Sequence, residues 1–82
     1  MSPVVTVYSR RDCHLCDEAL AALDSIDREG LVVEVVDIEG DDALLARYLE
    51  RIPVIALDGV ELYEFRLDVD DLNQRLEAAA GR

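Results

Sequence analysis

The sequence predicts an α/β domain with the element order β-α-β-α-β-β-α. Valine-rich, strand-like runs alternate with stretches whose apolar residues recur every three or four positions. The last two strand-like runs flank Asp58-Gly59, a pair suited to a type I′ hairpin turn, in which both central residues need positive φ. No linker, repeat or low-complexity stretch divides the 82 residues, so one domain spanning 1–82 is expected, near the lower size limit for one hydrophobic core.

Val4 to Tyr8 is a β-branched and aromatic run closed by the polar Ser9-Arg10-Arg11-Asp12, and it reads as a buried first strand. Cys16, Ala19, Leu20, Leu23 and Ile26 form the apolar stripe of a helix that starts at or beside Cys13, with Gly30 as its stop. Leu31 to Ile38 is valine-rich and predicts a second strand, and a helix between two strands points to a right-handed parallel crossover. Gly40-Asp41-Asp42 offers a helix start, and Leu44, Leu45, Tyr48 and Leu49 give a stripe ending near Glu50, before Pro53 biases its predecessor out of the helical region. Val54 to Leu57 and Val60 to Tyr63 are the hairpin strands. Asp68 and Asp70 can cap a last helix whose apolar face is Val69, Leu72, Leu76 and Ala79.

The formal net charge is −11, and all eight basic residues are arginines. No basic stripe is available to neutralise successive phosphates, so neither nucleic acid nor an anionic membrane is an expected partner. The acidic balance serves solubility, or encounter with a partner that has a basic face. The start of the chain shows neither a basic n-region nor a long apolar h-region, and no apolar run approaches the ~18 to 20 residues of a membrane span, so a cytoplasmic location is expected. In that compartment a cysteine pair is more often catalytic or metal-binding than a structural staple.

Cys13-His14-Leu15-Cys16 follows a strand and opens a helix. Thiol exchange needs one exposed, ionisable thiol and a second thiol one helical turn away to resolve the mixed disulfide. Free amides of the first turn and the helix dipole favour the thiolate of Cys13, making it the expected nucleophile, with Cys16 pointing inward as the resolving thiol. Arg10 and Arg11 push the same way, whereas Asp12, Asp17 and Glu18 oppose them. His14 is read as an exposed residue that at most tunes Cys13. As a staple the pair would stabilise little, because it closes a very short loop. A structural zinc site takes four ligands, and the chain has only two cysteines and one histidine, so no metal site within the chain is expected.

Val7-Tyr8-Ser9-Arg10-Arg11-Asp12-Cys13-His14-Leu15-Cys16, followed by Arg51-Ile52-Pro53-Val54, resembles the glutaredoxins, and the element order matches along almost the entire chain. More narrowly, it is similar to short bacterial glutaredoxin-like proteins in which a Cys-x-x-Cys and an Arg-Ile-Pro-Val stretch occur together. The resemblance implies a thioredoxin-like fold: a four-stranded mixed sheet with helices on both faces and the redox pair at the first strand-helix junction. It further implies that Pro53 is cis and lies against the pair, with Leu15, Ile52 and Pro53 meeting substrate and the backbone of Ile52 pairing with an extended segment. Arg10 matches a lysine that lies near the thiolate in glutaredoxins, where a guanidinium could contact a carboxylate; the alternative is a solvated loop arginine. The match has departures. Glutaredoxins carry Gly-Gly and acidic residues after the fourth strand, where glutathione is held, whereas this chain reads Tyr63-Glu64-Phe65-Arg66-Leu67-Asp68. The proline common inside the redox pair is absent, and Val7 stands where thioredoxins bury an aspartate. Tyr63 and Phe65 could line a groove, but hairpin aromatics more often pack into the core, and that is the expectation here.

The expected function is thiol-disulfide exchange that reduces protein or small-molecule disulfides, with a disulfide-containing protein or glutathione as partner and a potential of about −200 to −270 mV. No bound cofactor is expected. Glutathione enters as a candidate reductant, with a glutathione system or a thioredoxin reductase as electron donor, and the protein is expected to act as a monomer. Two rivals remain. One is a dimeric metal or iron-sulfur module in which two chains pool Cys13 and Cys16; the other is a redox-inert interaction domain that keeps the fold.

Overall fold

The computed structural model describes residues 3–26 and 29–80. Its elements are β1 (Val4–Ser9), α1 (His14–Asp24), β2 (Val32–Asp37), a 3₁₀ turn (Ile38–Gly40), α2 (Asp42–Tyr48), β3 (Val54–Leu57), β4 (Val60–Glu64) and α3 (Val69–Ala80). The expected element order is observed, with the 3₁₀ turn added.

The four strands form one mixed sheet in the order β2-β1-β3-β4. β1 pairs with β2 in parallel and with β3 antiparallel, and β3 pairs antiparallel with β4. Successive side chains of a strand point to opposite faces, so β1 sends Val5 and Val7 to one side and Tyr8 to the other. On the first side, Val5, Val7 and Ile55 pack with Ala19, Leu23, Ile26, Leu72 and Leu76, which places α1 and α3 there. On the second, Val54 packs with Ile38 and Tyr48, and Tyr8, Leu44, Leu45 and Ile52 join them, which places α2 there. Helices therefore cover both faces. Burying each such aliphatic side chain contributes roughly 1.5–3 kcal/mol, making these two clusters the main source of stability.

The hairpin forms as the sequence predicts. Asp58 has φ 48° and Gly59 φ 86°, both left-handed. Asp58 Oδ1 accepts a hydrogen bond from the Val4 amide at 2.9 Å, tying the turn to the start of β1. The register of β3 against β4 shifts between Ile55 and Ala56, leaving Leu62 unmatched. This bulge turns Glu61 and Tyr63, two positions apart, to opposite faces, where an unbroken strand would place them on the same one. Glu61 reaches the α2 side and accepts hydrogen bonds from Tyr48 Oη (2.7 Å), Arg51 (2.8 Å) and Arg47 (3.2 Å). The Tyr63 hydroxyl reaches the α3 side and donates to Asp71 at 2.6 Å, where Arg75 also donates at 2.8 Å. Burial, reinforced by the carboxylate each hydroxyl faces, pushes Tyr48 and Tyr63 up to about 12. Tyr48 also stacks on Tyr8, with ring centroids 4.2 Å apart.

Several boundaries differ from those expected. α1 ends at Asp24, well before Gly30, because the amides of Ser25 and Ile26 bond the carbonyls of Ala22 and Leu23 and tighten the last turn. Gly30, at φ 84°, instead belongs to the turn leading into β2, and residues 27 and 28 lie outside the described part. β2 is one residue shorter at each end, since Ile38 opens the 3₁₀ turn and is fully buried. Asp41 is the N-cap of α2, its carboxylate accepting from the amides of Ala43 and Leu44, and the helix ends at Tyr48 rather than Glu50. Asp68 caps α3 through the Asp71 amide, while Asp70 lies in the first turn. Ala79, expected on the apolar face of α3, is exposed. Of the two hairpin aromatics, Tyr63 packs against the α1/α3 core as expected, whereas Phe65, also expected to pack inward, is exposed. The chain reverses at Phe65 with φ 67°, which turns its side chain away from the path of β4.

Candidate functional site

β1 ends at Ser9, and a tight turn through Arg10, Arg11 and Asp12 leads into α1. Asp12 adopts φ 60°, a left-handed backbone that aspartate tolerates better than most residues. Cys13 then sits extended as the N-cap of α1, and its sulfur accepts a hydrogen bond from the Cys16 amide at 3.2 Å. Its carbonyl accepts from the Asp17 amide at 3.1 Å, closing the first helical turn. The cysteine thus occupies the place of a capping serine or aspartate, with an otherwise unpaired helix donor aimed at its sulfur.

Cys13 and Cys16 form a disulfide with a Cα separation of 5.2 Å, well within the range a bridge spans. Their surroundings differ. Cys16 is 1% exposed, on the buried stripe of α1, whereas Cys13 is half-buried at the surface. The pair therefore offers one sulfur to solvent and keeps the other beneath it, as the spacing predicts. Val7 is fully buried, so no carboxylate stands at that core position of β1.

The sheet register brings further residues to the same end. Tyr8, Val54 and Glu64 lie in a row across β1, β3 and β4, and one step beyond them are Ser9, Pro53 and Phe65. The Ile52–Pro53 bond is cis, as the resemblance implies, and the Pro53 carbonyl accepts from the Phe65 amide at 2.9 Å. Cys13 and Ile52 share an open groove of about 590 Å³, whose other walls are Arg10, Arg11 and Asp12 on one side and Asp37, Glu39 and Leu49 on the other. The Arg10 guanidinium meets Glu39 at 3.5 Å, so it borders the groove but is directed to a carboxylate of its own chain. His14 is exposed at the first helical position and comes within 4.0 Å of Glu18. Leu15 is 38% exposed beside the pair.

Of the residues singled out in the sequence, Cys13, Arg10 and Ile52 thus converge on one groove, with Pro53 and Leu15 adjoining. Asp37, Glu39 and Leu49 carry no sequence signal of their own for this place. The parallel register Ser9↔Asp37 puts the end of β2 beside the cysteine loop, a relation visible only once strand pairing is fixed. Among the described residues no group of three or more His, Cys, Asp or Glu side chains is placed to hold a metal ion, and no helix is long and apolar enough to cross a membrane.

A mixed four-stranded sheet in the order β2-β1-β3-β4, covered by helices on both faces, with a Cys-x-x-Cys pair opening α1 and a cis-proline opening β3, is a thioredoxin-like fold carrying a dithiol site. The family model described as Glutaredoxin-like domain (DUF836) matches residues 4–77, and the chain belongs to that family. A structural-genomics target protein, XcR50 from X. campestris, is similar at 36% identity over 90% of this chain and 96% of its own, with a TM-score of 0.71. A point-mutant thioredoxin from Halobacterium salinarum shares the fold at 22% identity, with 94% of this chain and 74% of that one covered and a TM-score of 0.66. The germline-specific thioredoxin Deadhead from Drosophila melanogaster does so at 21% identity, covering 94% and 80%, with a TM-score of 0.59. No curated protein matches the chain.

Proposed function

We propose that the protein is a thiol-disulfide oxidoreductase that reduces disulfides through Cys13 and Cys16. The observation that carries this reading is the asymmetry of the pair: Cys13 is half-buried at the surface with its sulfur capped by the Cys16 amide at 3.2 Å, whereas Cys16 is only 1% exposed. In the reduced protein, the amide donors of the first helical turn favour the thiolate of Cys13. That thiolate attacks one sulfur of a substrate disulfide; a Cys13–substrate bond forms, the substrate S–S bond breaks, and the other substrate sulfur leaves as a thiolate that takes up a proton. Cys16 loses its proton and attacks the Cys13 sulfur. The Cys13–Cys16 disulfide then forms, the second substrate thiol is released, and two electrons have passed from the protein to the substrate. Two thiols of an external reductant return the pair to the dithiol.

In this reading the groove that Cys13 shares with Ile52 receives an extended peptide segment, with Pro53 next to Ile52 and the exposed Leu15 next to the cysteine pair. Glutathione is the alternative substrate and a candidate reductant. Arg10 would meet its carboxylate only by leaving Glu39, an exposed ion pair of small worth.

The oxidised protein, supplied with NADPH and either glutathione with its reductase or a thioredoxin reductase, tests the reading. Consumption of one NADPH per protein disulfide in one system is the expected result, and it names the electron donor. Reduction by neither would count against the exchange reading and in favour of a binding role for the domain.

A further inference from the structure

Phe65 is strained, exposed and unused by the core. Its φ of 67° is a backbone that glycine adopts freely and a bulky residue only at a cost. The Arg66 amide donates to the Glu64 carbonyl at 2.7 Å across it, closing a three-residue γ-turn, and that turn needs the backbone angle and not an aromatic ring. The ring joins neither hydrophobic cluster and is 45% exposed. Backbone hydrogen bonds hold the turn, but the aromatic ring takes no part in them, and a backbone outlier kept at a bulky residue that the core does not use points to function.

Its position gives that function a direction. The Phe65 amide is bonded to the Pro53 carbonyl, so the ring stands one strand beyond the residue that follows Ile52, and Ile52 shares the groove with Cys13. Two other exposed large apolar side chains, Leu15 and Leu49, lie at the same end, one within the redox motif and one in the groove wall. We infer that Phe65 is a substrate-gripping residue: it holds an apolar side chain of the extended segment next to the attacked disulfide, and so directs the protein toward peptide disulfides with apolar flanks. This inference rests on the exchange reading above.

The test compares two disulfide-linked peptides that differ only in carrying leucine or glycine beside the half-cystine, with hydroxyethyl disulfide as a small substrate. The unsubstituted protein is expected to favour the leucine peptide in kcat/KM by about tenfold, the usual scale for one well-placed apolar contact. In Phe65→Gly, whose backbone suits the turn, the preference should fall to near one, with Tm equal or higher. Phe65→Leu should restore most of the preference. Because the readout is a ratio within one protein, a general loss of activity cannot mimic it. A preference near one in the unsubstituted protein, or one that survives Phe65→Gly, overturns the inference while leaving the exchange reading intact. Absence of exchange with all three disulfides overturns both.

Discussion

Cys13 and Cys16 are three residues apart and live in different environments, because the first is an N-cap at the surface and the second lies on the buried stripe of α1. Sequence reveals this much without strand pairing, since a strand, a polar turn and a helical stripe are enough to place the first cysteine at a helix start. One measurable consequence is selectivity. In the reduced protein iodoacetamide should alkylate Cys13 at least about tenfold faster than Cys16 across neutral pH, checked by peptide mass spectrometry, because reactivity follows thiolate character and access together. Equal rates would remove the asymmetry on which the assignment depends. The groove walls are not legible in the same way. Asp37, Glu39 and Leu49 meet Cys13 only through the parallel pairing of β2 with β1 and the path of α2, and no local pattern in their own segments marks them. Phe65 departs from the inward packing expected of it because the alternation that assigns faces along β4 stops at its left-handed turn.

Among the elements, the β3-β4 hairpin ties the sheet to the helices on both of its faces. Its bulge sends Glu61 to α2 and Tyr63 to α3, so one strand clamps a helix on each face through hydroxyl-carboxylate and guanidinium contacts. Glu61→Gln keeps the shape but weakens the contacts to Arg51 and Tyr48, and should cost about 1–2 kcal/mol in chemical denaturation; the exposed Arg47 adds little. Gly59 at φ 86° has open space where a Cβ would stand, so Gly59→Ala isolates the backbone term and should cost roughly 1–2 kcal/mol. An unchanged midpoint for that variant would contradict the type I′ turn. The turn is readable because Asp-Gly carries its own conformational requirement. The bulge is not, since Glu61, Leu62 and Tyr63 alternate as an ordinary strand does, and the end of α1 is hidden because Ser25 stops the helix before the glycine that looks like its terminator.

For the whole molecule, nineteen acidic residues against eight arginines leave a formal charge of −11 on a body with a radius of gyration of 12.6 Å. Arg10, Arg47, Arg51 and Arg75 are already engaged with carboxylates, so the remaining negative charge repels itself at low ionic strength. Raising salt from about 0.02 to 0.5 M should therefore raise Tm, because screening removes more repulsion than it removes from these ion pairs. A fall would mean the pairs matter more than the net charge. Stability should also decline at both ends of the pH scale. Glu61, held low chiefly by Arg51, and Asp71, held low chiefly by Tyr63, contribute stability above the ordinary carboxylate range that is lost as pH falls through their lowered values. Tyr48 and Tyr63, raised to about 12, contribute stability below the usual 10.0 that is lost as pH climbs from there toward 12. Denaturant melts across pH should show both limbs, and Tyr48→Phe should flatten the alkaline one.

The most direct test of the central claim is to trap the covalent intermediate. Reduced Cys16→Ser protein, mixed with a disulfide-linked peptide and examined by intact mass, should gain one peptide half joined at Cys13 and keep it, because the resolving thiol is gone. The double variant Cys13→Ser/Cys16→Ser should gain nothing. If Cys16→Ser forms no adduct while its fold is intact, Cys13 does not attack disulfides, and the exchange chemistry assigned to this pair is wrong.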